Sequence, residues 1–478
     1  MRYALMIAVT ILAGTAAGAS AIAADESVDH VNVPVPEHQS TTLANGLKLI
    51  LVPRHDIPLV AFNLLMRGGA QLDPPGRDGT AALVADLLTH GAGSRDAQAF
   101  VETVEGAGGN LQAAARGEAI QVQGQFLARD SHLMLQLLAD AVLRPHFAAG
   151  EFEKLRTRRI EELKAAKDSQ TDALLSSYGR ALLFAGHPYG RAVGGDESSL
   201  SRITHEDITH YYSAQSGADR TTLVIAGDID VEQIRKDVAV IFGSWQRATQ
   251  PLIPLVPPAR VTGRRVLLVD APGSAQTYFW LGNVGVPRRY PERAALNMAN
   301  MSFGGSLASM LNQELRVKSG LTYDAGSRFV RGAVAGEFAI SSFTQTANTG
   351  RAIDLALTTL GKLKQAALSP EAISSARNYL LGQYPLAFET PADWAIALGD
   401  LDLYGLPESY IGQFGSDLLK VDASAIRAVI DTAFPSPDNL DIVLIGDAAQ
   451  IEAAAAKFGT VTKMSLSAPQ FAPVRAAH

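Results

Sequence analysis

Residues 221–243 read "TTLVIAGDIDVEQIRKDVAVIFG". A buried strand, a Gly-Asp turn, an amphipathic helix and a Phe-Gly stop follow one another. The same order recurs in "LDIVLIGDAAQIEAAAAKFG", residues 440–459. Gly227-Asp228 and Gly446-Asp447 lie 219 residues apart, and Phe242-Gly243 and Phe458-Gly459 lie 216 apart. A capped helix precedes each strand, "THEDITHYY" in the first copy and "VDASAIRAVI" in the second. A repeat of this length marks a duplicated domain and not a solenoid. The expected organisation is therefore two homologous halves, 25–243 and 263–460. Between them, 244–262 carries four prolines in eight positions and is expected to be a stiff linker. Residues 461–478 are expected to be a mobile tail.

Working outward, the first half opens with "TTLANGLKLILVP", residues 41–53, a hairpin pattern with a two-residue Asn45-Gly46 turn. A second apolar strand, "PLVAFNLLMRGGA", and an alternating one, "AIQVQGQF", follow. The stretches "RDAQAFVETVEGAGGN", "RDSHLMLQLLADAVLRP" and "AGEFEKLRTRRIEELKAAKDS" have helical spacing. Strands in adjacent runs with helices grouped after them indicate the α+β class: a mainly antiparallel sheet in each half, helices on one face.

The ends and the composition narrow the function. Residues 1–24 have the form of a secretory signal: Arg2, an apolar run from Tyr3 to Ala13, and a small-x-small site at Ala21-Ile22-Ala23. Without Arg2 the net charge passes from −7 to −8. A mildly acidic chain without a basic stripe makes nucleic acid an unsuitable partner. No later stretch is long and apolar enough to span a membrane, so the exported chain is expected to be soluble. Cysteine is absent, which excludes disulfides and thiolate metal sites.

The stretch "GTAALVADLLTHGAG", residues 79–93, is a short apolar helix between glycines. With "RRIEELKAAKDS", "HPYGR" and "LNQELRVKSGLTY", it resembles the landmarks of the pitrilysin and mitochondrial-processing-peptidase family, the inverted zincins. In active members this helix carries H-x-x-E-H: two histidines that bind zinc and a glutamate that activates water. Here the first histidine falls on Ala82, the glutamate on Ala85 and the second histidine on Asp86. Glu162 occupies the position of the third ligand, 76 residues beyond Asp86. One glutamate is no zinc site, so no metal or other cofactor is expected in this chain. An unusual cluster of Asp86, His90 and Glu162 is a minor alternative. The "HEDITH" segment, residues 205–210, mimics H-E-x-x-H, but its histidines are five apart, about 140° off a common helical face. Thr204 with Asp207 reads better as a helix cap. His187 reads as a structural loop residue.

The second half keeps "GGSLASMLNQELRVKSGLTYDAGS", residues 304–327. Gly304-Gly305 reads as a flexible pair before a helix that ends at Lys318 and Gly320, with a strand from about Leu321. Arg316 would lie in the last turn and Tyr323 just inside the strand. The resemblance implies that Arg316 and Tyr323, with Gly304 and Gly305, bind the substrate backbone, and that Arg316 and Tyr323 stabilise the oxyanion at a facing zinc. The chemistry suits them, since a carbonyl gaining charge needs fixed, positively polarised donors. A chain with this pair but no zinc ligands resembles the non-catalytic partner of a heterodimeric zinc peptidase in the bacterial periplasm. It would be inactive alone, would take unfolded peptides, and would leave zinc to an H-x-x-E-H sister subunit. The alternative is a peptide-binding or structural pseudo-peptidase with no active partner.

Overall fold

The computed structural model describes residues 31–473. The signal segment 1–24 lies outside the described residues. Among the described residues, twelve strands form two six-stranded sheets. The first contains β1 (Gln39–Thr42), β2 (Lys48–Pro53), β3 (Leu59–Arg67), β4 (Asn110–Ala115), β5 (Ala119–Leu127) and β6 (Thr221–Gly227). The second contains β7 (Arg264–Asp270), β8 (Gln276–Gly285), β9 (Ala325–Arg331), β10 (Gly336–Gln345), β11 (Leu440–Gly446) and β12 (Thr460–Ser465). Their orders, β1-β2-β6-β3-β5-β4 and β12-β7-β11-β8-β10-β9, correspond at five strands, β2-β6-β3-β5-β4 with β7-β11-β8-β10-β9. In each sheet the repeated strand, β6 or β11, sits between a parallel and an antiparallel neighbour. Most pairs are antiparallel, which is the expected α+β layout.

Each half packs its own helices on one face of its sheet. Leu49, Leu51, Phe62, Leu64, Leu223 and Ile225 point to that core in the first half. Leu268, Phe279, Phe338, Ile340, Ile442 and Leu444 do so in the second. The opposite faces are covered by exchange. The helix Thr171–Leu183 leaves the first half and lies on β8 and β11, with Leu174, Leu175 and Tyr178 against Leu267, Trp280 and Val443. The helix Pro391–Tyr404 leaves the second half and lies on β3 and β6, with Trp394, Ala395 and Leu398 against Ile50, Val224 and Ala226. With both faces covered, every residue of β6 and of β11 is buried, and neither strand alternates.

A glycine allows each crossing. A Cβ on Gly179 would stand 2.6 Å from the Trp280 ring, and one on Gly399 2.6 Å from Asn63 Nδ2. The two halves also meet at Glu118, which accepts the Tyr189 hydroxyl at 2.5 Å and the Ala333 N–H at 2.8 Å.

Two local expectations change. The first hairpin closes by a bond from Leu43 N–H to Leu47 O at 2.9 Å, so three residues and not two make the turn. Asn45 instead donates from its amide to the Phe242 and Trp245 carbonyls, 2.8 and 3.2 Å away. The described part of the expected tail, 461–473, is not free: it continues β12, parallel to β7, and then turns back to the first half. There Lys167 donates to the Ala468 carbonyl and Ser198 N–H to the Pro469 carbonyl, and Phe471 stands edge-on to Tyr178 with centroids 5.0 Å apart. Residues 246–262 carry no helix or strand. The His187 ring nitrogen Nε2 lies 2.8 Å from the Val256 carbonyl in this segment.

Candidate functional site

The helix Thr80–Leu87 is buried on all sides but one. Gly79 opens it with φ +99°, a conformation that disfavours any side chain. The Asp73 carboxylate, itself buried, accepts the Gly79 and Ala81 N–H groups at 2.7 and 2.8 Å. Burial pushes the Asp73 carboxyl up to about 8, against the pull of those two N–H bonds and of the Arg191 charge.

Ala82 and Ala85 are core methyl groups. Asp86 is the polar residue of the helix near its end, and it meets Arg159 Nε at 2.7 Å. Arg159 comes from the long helix Ala149–Ser169, one turn before Glu162. Glu162 is largely exposed and stands 3.5 Å from Arg158. His90 Nδ1 lies 2.7 Å from the Asp86 carbonyl, as a helix-end histidine does. The alternative of an Asp86–His90–Glu162 cluster therefore fails, since each is engaged separately. Among the described residues no group of three or more His, Asp or Glu side chains is placed to hold a metal. These residues do not fit a zinc ion: two methyls replace a ligand and the base, and the Arg159 guanidinium stands against Asp86 at the second-histidine position. Thr204 and Asp207 cap each other reciprocally, so the "HEDITH" segment is an ordinary helix start.

In the second half the chain runs from Met310 to Lys318 as a helix that widens to π-type turns from Gln313. Gly320 follows with φ +61°, and its N–H bonds to the Arg316 carbonyl at 3.1 Å. Lys318 pairs with Glu314 at 2.6 Å. Tyr323 is not inside a strand: it precedes β9, which begins at Ala325. The Arg316 guanidinium carbon lies 4.6 Å from the centre of the Tyr323 ring, a cation–π stack. Tyr323 is 73% exposed. Among the described residues, neither the guanidinium nor the phenol hydroxyl has a hydrogen-bond partner. Gly304 is not a flexible joint. It is buried, and a Cβ there would meet Ser327 Oγ at 2.4 Å, so it lets this segment approach β9. Gly305 beside it is exposed.

The structure thus brings Arg316 and Tyr323 together and disperses Asp86, His90 and Glu162. Arg159 escaped the sequence reading. Its signal was available, an arginine three residues before Glu162 on one helix and a carboxylate where a histidine belongs.

The family model described as Insulinase (Peptidase family M16) matches residues 50–197, and that described as Peptidase M16 inactive domain matches 202–380. An uncharacterized zinc protease of Mycobacterium leprae is 26% identical over 76% of this chain and 82% of its own length. The non-peptidase homolog YmxG of Helicobacter pylori is 23% identical over 82% of this chain and 90% of its own. Among solved structures, the peptidase M16 inactive domain from Pseudomonas fluorescens shares the fold with a TM-score of 0.80 at 23% identity, over 86% of this chain and 98% of that one. With both halves matched in sequence and the two-sheet architecture matched in space, the chain belongs to peptidase family M16.

Proposed function

We propose that this chain is the non-catalytic subunit of a zinc peptidase, exported to the periplasm, that lends Arg316 and Tyr323 to a zinc-bearing H-x-x-E-H partner. One observation carries the reading: an Arg–Tyr stack with its phenol ring exposed, whose donors have no hydrogen-bond partner among the described residues. The stack keeps the guanidinium and the phenol side by side, so both donors face one peptide group together. A peptide carbonyl lying between them would receive the N–H groups of Arg316 and the O–H of Tyr323. Both bonds strengthen as the carbonyl oxygen gains charge, which is the condition for lowering a barrier. The zinc-motif helix supports the division of labour, because Ala82 and Ala85 can neither bind a metal nor move a proton.

The second reading, a peptide-binding or structural pseudo-peptidase without an active partner, draws on the non-peptidase homolog among the relatives. Peptide cleavage with zinc present separates the two. This chain, an H-x-x-E-H homologue from the same cell, and their mixture are assayed side by side. Activity in the mixture alone is the expected result. A homologue that cleaves equally well without this chain would leave the second reading standing.

A further inference from the structure

Away from the Arg–Tyr pair, a cavity of about 390 Å³ opens between the end of β9 and the exchanged helix Pro391–Tyr404. Its volume is within the range of about 300–1,000 Å³ usual for small-molecule sites. Most of the wall is apolar, with Leu380, Phe388, Leu401 and Ile411 contributing. Three guanidiniums also line it, those of Arg288, Arg293 and Arg331.

These charges are poorly matched. Asp400 is the carboxylate in the wall, and it already holds Arg116 at 2.7 Å while Arg288 stands 3.4 Å away. Arg293 is 92% removed from solvent, stacked 3.7 Å over Tyr410 and 4.1 Å over Phe414, and donates to the Tyr410 carbonyl. Among the described residues, neither Arg293 nor Arg331 forms an ion pair. Arg331 Nη1 and Arg288 Nε are buried with no hydrogen-bond partner among the described residues. Burial lowers the Arg331 pKa; Tyr410 pulls it back in part, and the like charges of Arg288 and Arg293 lower it further. Uncompensated buried charge of one sign is costly, and a bound counter-charge removes the cost.

We propose that this cavity binds an amphipathic carboxylate, with its anionic head on Arg288 and Arg331 and its apolar body against Leu380, Phe388 and Ile411. A planar carboxylate suits the forked guanidinium, and the apolar wall selects against a bare inorganic anion. The head group could belong to a small organic acid or to the C-terminus of a peptide.

Isothermal titration of the full chain separates these sources. The probes are octanoate, N-acetyl-Leu-Phe with a free carboxylate, and the same dipeptide as its amide. The variants are Arg331→Gln and, at the exposed mouth of the cavity, Ala387→Trp, which fills space without touching charge. At least one carboxylate is expected to bind ten times or more tighter than the amide, and each variant to weaken it at least tenfold. Tighter binding of the dipeptide acid identifies a peptide terminus; tighter binding of octanoate identifies a small acid. If Arg331→Gln fails to fold, Ala387→Trp alone decides. No measurable carboxylate binding, equal binding of the amide, or full binding by folded variants overturns the proposal.

Discussion

Asp86 and Arg159 meet at 2.7 Å where an inverted zincin would place its second histidine. The pair is mostly covered, with 16% and 24% of the two side chains exposed. Replacing Arg159 by Ala leaves a desolvated carboxylate without a partner. A loss of about 1–3 kcal/mol is expected, because an unpaired buried charge costs more than the pair contributes. Urea denaturation of Arg159→Ala, Asp86→Ala and the double variant checks this. Additive effects would show that the two side chains do not interact.

The same pair obstructs any restored metal site. With Ala82→His, Ala85→Glu and Asp86→His introduced together, Arg159 loses its carboxylate and stands as a fixed cation beside the metal. Like charge disfavours a second cation. Zinc affinity of this triple variant should rise by about tenfold or more when Arg159→Ala is added. Equal affinities in competitive chelator titrations would place Arg159 clear of the site.

For the Arg–Tyr pair, loss of one donor to a developing oxyanion typically costs about a hundredfold in rate, roughly 3 kcal/mol. Tyr323→Phe and Arg316→Ala should each reduce turnover of the mixed subunits on that order while leaving the fold intact, since Tyr323 is exposed. Arg316→Lys should recover little, because a compact ammonium lacks the fork. Turnover unchanged in Tyr323→Phe would remove the phenol from the mechanism.

The exchanged helices make Gly179 and Gly399 sensitive. In an open helix, Gly→Ala stabilises by up to about 1 kcal/mol. Here the new methyl would stand 2.6 Å from the Trp280 ring or from Asn63 Nδ2. Overpacking of this kind costs about 1–3 kcal/mol. Gly179→Ala and Gly399→Ala should therefore each lower the melting temperature, and a rise in either would mean that the helix shifts freely on its sheet.

Phe471 anchors the chain's return to the first half and is 4% exposed. Phe471→Ala should cost about 3 kcal/mol or more, the usual loss for a buried aromatic. A truncation after Ala468 should behave alike. Stability unchanged in both would restore the expectation of a free tail.

Asp73 supplies a pH dependence. Its carboxyl is raised in the folded chain from 3.8 to about 8. A group raised on folding adds stability that is full below its unfolded pKa and is lost as pH climbs through the folded one. Stability should thus decline between about pH 4 and pH 8 through this group. Asp73→Asn, which still accepts an N–H bond, should flatten that decline in denaturation curves at pH 5 and pH 8. Equal slopes in the two proteins would mean that Asp73 folds ionised.

The duplication, the α+β class and the lapse of the zinc motif were legible in one sequence, because each rests on local order. Strand, Gly-Asp turn and helix recur with their own spacing, and Ala82 and Ala85 lack ligand atoms in any fold. Gly320 likewise announced a helix end, since a positive φ is a local demand. The tertiary structure alone decided what lies far apart in the chain. Nothing local marks Thr171–Leu183 as covering β8 and β11, or Pro391–Tyr404 as covering β3 and β6. The stretch from Val461 reads as a tail because its strand is stabilised by backbone pairing with β7, which leaves little side-chain pattern. Arg159 reached Asp86, and Arg288, Arg293 and Arg331 reached one cavity, only when the sheets brought their elements together. Side-chain periodicity reports which face of an element is buried, but the partner on that face is set by packing between residues hundreds of positions apart.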